Sequence, residues 1–232
     1  LDNIHAIGMD SIQHMLRTLS VFDFELSVLN KEILKLDDNF YSVLDEDKHG
    51  YTMDNHNFLD GMQVSSKMPE RTCEWDADVV AKKPLEIACD YNNKINSVVT
   101  GQFSRDERDY RFLSSIYVKR PLLLKACVDK WHAYYKAHQK TCRVVHYYYD
   151  NTAIATRADT SVSFADQWVE RLQEHGWIVV KHYIGQASEH ESRKNFWDTF
   201  LSGTDSRLPN FKFNKTNAAS WQVSAENTGI RY

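Results

Sequence analysis

The sequence predicts an α/β fold: a mixed five-stranded sheet flanked by helices, preceded by a mainly helical, acidic extension. Three observations predict it. Charge splits the chain: residues 1–80 carry 6 Lys/Arg against 16 Asp/Glu, a balance of −10, and residues 81–232 carry 22 against 16, a balance of +6. The texture changes near Pro84, after which short β-rich runs alternate with amphipathic stretches. The order of those runs is three strands in succession, then helix, strand, helix, strand, helix. Consecutive strands on short links imply an antiparallel meander, and strands separated by helices imply parallel crossovers. The expected division is therefore 1–80 and 81–232.

In the first part, Ile12, Leu16, Leu19, Phe22, Leu26, Leu29 and Ile33 recur at spacings of three or four, which predicts a helix over 10–36. The stretch from Leu36 to Gly61 is acidic and turn-rich. In the second part the expected strands are 85–90 (LEIACD), 97–103 (SVVTGQF), 110–118 (YRFLSSIYV), 143–150 (RVVHYYYD) and 177–184 (WIVVKHYI). They are rich in β-branched and aromatic residues. The expected helices are 121–138, 163–176 and 190–203. The second opens on Ser163, a capping residue, and both later helices stop at a glycine, Gly176 and Gly203. A last short strand at 211–213 (FKF) precedes a short helix at 218–226.

Composition is that of a globular protein, 42% hydrophobic and 26% charged. No apolar run approaches the roughly 18 residues a membrane span needs, and the N-terminus lacks a signal-peptide succession. Cys73, Cys89, Cys127 and Cys142 lie far apart with no Cys-x-x-Cys pair, so reduced thiols in a cytoplasmic setting are expected over a disulfide frame or a zinc site. The basic second part could meet a polyanion, with Lys181, Arg193, Lys194, Lys212 and Lys215 as candidates for a phosphate-facing surface.

Two strand ends share one design. The first strand runs apolar into Asp90 and the fourth into Asp150-Asn151. Asp-Asn starts turns, which is the plain explanation. The chemical one requires strands one and four to be parallel neighbours. Two carboxylates about 4 Å apart then repel by roughly 4 kcal/mol at an effective dielectric near 20. A divalent cation relieves that repulsion, and hard oxygen ligands select Mg²⁺ or Mn²⁺.

Three stretches, PLEIACDYNNKINSVVTGQ, VVHYYYDNTA and FWDTFLSG followed by LPNFKFNKTNAASWQVSAEN, resemble the ribonuclease H-like fold. They most resemble the C-terminal nuclease domain of the phage terminase large subunit. The resemblance spans roughly residues 16–232, with SVFDFELSVLN and NFYSVL similar to that family's connecting region. It implies a metal-dependent endonuclease that cleaves double-stranded DNA concatemers during genome packaging. It also implies a two-metal Mg²⁺ or Mn²⁺ site with Asp90 and Asp150 as catalytic metal ligands. Asn92 and Asn151 would orient ligands or water. The implied partners are DNA, a portal and a small terminase subunit, in the host cytoplasm and away from membranes.

Two departures from the family stand out. No G-x-x-x-x-G-K-[ST] loop occurs, so the ATPase domain is expected to be absent. The family's third acid comes from a helix near its C-terminus; it is expected beyond Tyr232, and Glu226 is the nearest acid within the chain.

Other signals are weaker. DEDKHGYTMDNH places Asp45, Asp47 and Gly50 as a calcium loop would, but His56 stands where a bidentate Glu is needed, so an acidic surface loop is expected. His132 and His138 are six residues apart and not matched to a shared zinc. His146 shares a strand face with Asp150, and a buried, hydrogen-bonded role is expected for it and for His182. Two rival functions remain open: a resolvase or integrase-like enzyme on the same fold, and a non-catalytic scaffold whose acids merely cap strands.

Overall fold

The computed structural model describes residues 39–62, 69–91, 94–155 and 162–229. In chain order the elements are α1 (Glu46–His49), β1 (Gly50–Tyr51), α2 (His56–Leu59), β2 (Leu85–Tyr91), β3 (Ile95–Phe103), β4 (Asp109–Lys119), α3 (Leu124–Tyr135), β5 (Val144–Tyr149), α4 (Phe164–Glu174), β6 (Ile178–Tyr183), α5 (His190–Ser202), β7 (Asn210–Asn214) and α6 (Ala219–Glu226). The helix expected at 10–36 lies outside the described residues.

The strands form one sheet in the order β1-β7-β4-β3-β2-β5-β6. β2, β3 and β4 are the antiparallel meander; β5 joins β2, and β6 joins β5, in parallel. The five-strand block β4-β3-β2-β5-β6 has the ribonuclease H-like order. The five expected strands are all present, and among the described residues two more extend the sheet to seven. Asn210–Asn214 pairs in parallel with the first half of β4, and Gly50–Tyr51 adds beyond it. A two-residue strand in a turn-rich stretch has no periodicity of its own, and only its neighbour makes it a strand.

The sheet carries a helical layer on each face, and alternation along β4 shows why. Phe112 packs with Phe211, Trp197 and Trp221 under α5 and α6. The next residue, Leu113, joins Leu85, Ile87, Val98, Val145 and Tyr147 under α3 and α4. The second of these cores is the larger. Trp131, Tyr135 and Leu172 are fully buried and Trp168 nearly so, and each such side chain contributes about 1.5–3 kcal/mol by leaving water.

Local chemistry sets the helix ends. Ser163 Oγ accepts from the Asp166 N–H at 3.1 Å and donates to Asp166 Oδ2 at 2.7 Å. Gly203 closes α5 at φ 70°, where a side chain would strain the backbone.

The described part of the acidic segment is built into the same sheet. Phe40 and Leu44 are buried, and Asn39 bridges to Gly229. Asp45, from the loop that mimics a calcium site, caps α1 by accepting from Lys48 N at 2.9 Å. Beyond α5 and α6 the second face is open along β6, where Ile178, Val180 and Ile184 are 58%, 38% and 62% exposed. Among the described residues no helix is long and apolar enough to cross a membrane.

Candidate active site at the ends of two parallel strands

β2 and β5 are the parallel neighbours that the carboxylate hypothesis requires. Their pairing runs from Leu85 opposite Val145 to Ala88 opposite Tyr148. The pairing stops short of both acids: Asp90 lies two residues past Ala88 within β2, and Asp150 directly follows the last residue of β5. Residues in register on parallel strands share a face, so Glu86, Asp90, His146 and Tyr148 belong to the face away from α3 and α4.

The two acids differ in surroundings. Asp90 is exposed and stays in the sheet opposite Ser97 of β3. Asp150 is half-buried, and its Oδ1 accepts from Thr152 N at 2.9 Å and from Thr152 Oγ1 at 2.6 Å. The turn explanation for Asp150 is therefore real, yet both bonds fall on one oxygen. Asn151 is tied to β6: its N–H donates to Gly185 O at 3.1 Å, and Tyr183 Oη donates to its side-chain oxygen. Asn92 lies outside the described residues.

Aromatic side chains brace the strand ends on the opposite face. Tyr91 Oη meets Tyr147 Oη, and the Tyr91 ring stacks on Phe164 at 5.4 Å. Burial raises the Tyr91 and Tyr147 phenols well above their ordinary range, so both stay neutral. Burial does the same to the Cys89 thiol beside Asp90.

His146 does have a hydrogen-bond partner, and it is His182. Nδ1 of His146 lies 2.8 Å from Nε2 of His182, with ring centroids 5.0 Å apart and planes 12° from parallel. Tyr148 stacks on His182 at 4.6 Å.

Glu86 was not singled out from the sequence. It stands opposite His146, and its Oε2 accepts from Tyr110 Oη at 2.9 Å. The available signal was a lone acid inside the apolar run LEIACD. Gly101, opposite Glu86, makes this bond possible: a β-carbon there would sit 2.7 Å from Tyr110 Cζ.

Other expected site residues lie elsewhere. Glu226 is on α6, which packs on β4; its carboxylate accepts from Gln222 and its carbonyl from Asn39. Four of the five expected phosphate-facing cations are engaged locally. Lys181 pairs with Asp166, Lys194 with Asp198 and Lys215 with Glu46, and Lys212 donates to Lys48 O. Among the described residues no three His, Cys, Asp or Glu side chains gather as a metal cage.

Neither the protein-family models nor the curated proteins contain a match to the chain. Solved structures do resemble it. The phage P22 large terminase nuclease domain superposes with a TM-score of 0.47 at 10% identity, over 86% of this chain and 87% of that one. The large terminase nuclease domain of bacteriophage SPP1 with bound Mn gives 0.36 at 12% identity, over 65% and 71%. Thermus thermophilus RuvC gives 0.27 at 14%, over 43% and 63%. The ribonuclease H-like assignment rests on the chain's own strand order.

Proposed function

We propose that the chain is a divalent-metal-dependent endonuclease for double-stranded DNA, the nuclease part of a phage packaging terminase. One observation carries the reading: β2, which holds Asp90, and β5, which Asp150 directly follows, are adjacent parallel strands paired from Leu85–Val145 to Ala88–Tyr148. The donor chemistry fits a hard cation. Asp90 is exposed, and Asp150 spends only one carboxylate oxygen on its turn. Asp90 and Asp150 would hold Mg²⁺ or Mn²⁺. When bound, the metal supplies charge stabilisation at the phosphodiester and a more acidic attacking water.

The chain's own contribution is position. The β2–β5 ladder aligns the segments that lead to the two acids, the Thr152 turn restricts rotation of the Asp150 carboxylate, and Asn151 is held against β6. No covalent enzyme intermediate is required. Concatemeric DNA would be the substrate, with a portal and a small terminase subunit as partners in the host cytoplasm.

The test is Mn²⁺ titration by calorimetry beside nicking of supercoiled plasmid. Asp150→Asn can still accept from Thr152, so it should fold normally, bind Mn²⁺ more weakly and nick roughly 100-fold more slowly or worse. Asp90→Asn should behave alike. Undiminished cleavage by Asp150→Asn would reduce the residue to a turn former. Cleavage confined to four-way junctions would reassign the enzyme to the resolvases.

A further inference from the structure

The row of residues that contains Asp90 continues across the sheet. Asp90 stands opposite Ser97 of β3, and Ser97 opposite Tyr117 of β4. All three share the open face. At about 4.8 Å per strand, Tyr117 lies roughly 10 Å from Asp90. On β4, β7 pairs only with Asp109 to Phe112, so among the described residues no strand lies beside β4 at Tyr117, which is 38% exposed.

This position is surrounded by positive charge. Lys119 Nζ and Lys130 Nζ lie 5.7 and 5.6 Å from the centre of the Tyr117 ring, and Lys130 also donates to Tyr117 O at 3.3 Å. Lys94 and Arg120 adjoin them, joined by the Arg120 N–H to Lys94 O bond at 3.2 Å. Among the described residues neither Lys119 nor Lys130 forms an ion pair with a carboxylate, and both lie against the Tyr117 ring. The contrast with Lys181, Lys194 and Lys215, each holding a carboxylate, is direct. Two ammonium groups held against one exposed ring, and ion-paired with no acid among the described residues, leave their charge available to an outside anion. Lysines that meet phosphates beside an aromatic ring that meets a base or sugar is the arrangement that binds a nucleic-acid strand.

We propose that Lys119, Lys130 and Tyr117 form a DNA-backbone-binding ridge that leads a strand towards Asp90 and Asp150. The choice of DNA as the anion rests on the nuclease reading. The ridge also differs in place from the cations first expected to face phosphate.

The experiment is fluorescence-anisotropy titration of the full chain, free of divalent metal. Its probes are a duplex of about 20 base pairs and the matching single strand, across a range of salt. Lys119→Glu/Lys130→Glu should weaken binding about tenfold or more and reduce the slope of log affinity against log salt by about two. Lys119→Gln/Lys130→Gln should lie between it and the wild type. Lys136→Glu/Lys140→Glu, at the other end of α3, should change affinity less than about twofold. Thermal melts show whether each variant is folded.

Equal affinities for the ridge and control variants would overturn the ridge, even if Asp150→Asn abolishes cleavage. Ridge-dependent binding in a chain that never cleaves would uphold the ridge and refute the nuclease. A loss confined to the single strand would uphold the ridge with an unpaired strand as its ligand.

Discussion

At the scale of single residues, the absence of a side chain can matter as much as its presence. Gly101 lies beneath the Tyr110 phenol, and the Tyr110–Glu86 bond passes over it. Gly101→Ala should cost roughly 1–3 kcal/mol through overpacking. Urea denaturation would measure it, and Tyr110→Leu in the same background should recover part of the loss. Histidines set a second residue-scale property. His49, His132 and His138 all have pKa values lowered chiefly by burial. For His132 the neighbouring His175, stacked at 4.1 Å, adds to the effect. Each is held neutral in the fold but takes up a proton readily once unfolded. Their contribution is therefore complete above the unfolded value near 6.5 and is lost as pH falls through it towards the lower folded values. The urea midpoint should drop between pH 7.5 and pH 5.5, and His138→Gln should flatten that drop. A profile unchanged over this range would contradict the assignment.

At the scale of elements, capping and packing outweigh the visible ion pairs. Ser163 caps α4, and its partner Asp166 also holds Lys181 of β6, so one turn fastens helix to strand. Ser163→Ala should cost about 1 kcal/mol by chemical denaturation. The Arg171–Asp129 pair between α3 and α4 is bidentate, at 2.7 and 2.9 Å, but its side chains are 30% and 42% exposed. Solvent screening limits such a pair to under about 1 kcal/mol. Trp168 beneath it is 1% exposed and its indole N–H has no partner among the described residues. Trp168→Phe removes that orphan donor as well as packing volume, so it should cost less than Trp168→Ala, which loses about 3–5 kcal/mol.

At the scale of the whole molecule, the two cores share the sheet but are reached from different parts of the chain. Asp76 and Asp78 are buried against the end of β7, where Asn214 Nδ2 donates to Asp78 Oδ2 at 2.9 Å and Asn217 Nδ2 to Asp76 Oδ2 at 2.7 Å. Tyr51 Oη donates to Asp78 as well, at 2.8 Å. A chain beginning at residue 81 would leave Asn214 unpartnered by either acid and uncover Phe211 and Phe213. Such a loss of roughly 3 kcal/mol or more should lower the melting temperature by about 6–12 °C. An unchanged melting temperature would mean that residues 81–232 form an independent domain.

What the sequence determined by itself was local. Strands at 85–90 and 143–150 were legible from β-branched and aromatic runs, and α4 from Ser163 and Gly176, because alternation and capping are written within a few neighbouring residues. Asp90 and Asp150 stood out for the same reason, as acids ending apolar runs. Tertiary structure decided everything that depends on register between distant segments. It set β2 beside β5 and made Gly50–Tyr51 a strand. It turned His146 towards His182, took Lys181, Lys194 and Lys215 into ion pairs, and gathered Lys119 and Lys130 around Tyr117. A lysine's own sequence neighbours do not show whether an acid lies within reach, since that acid usually arrives from another element of the fold.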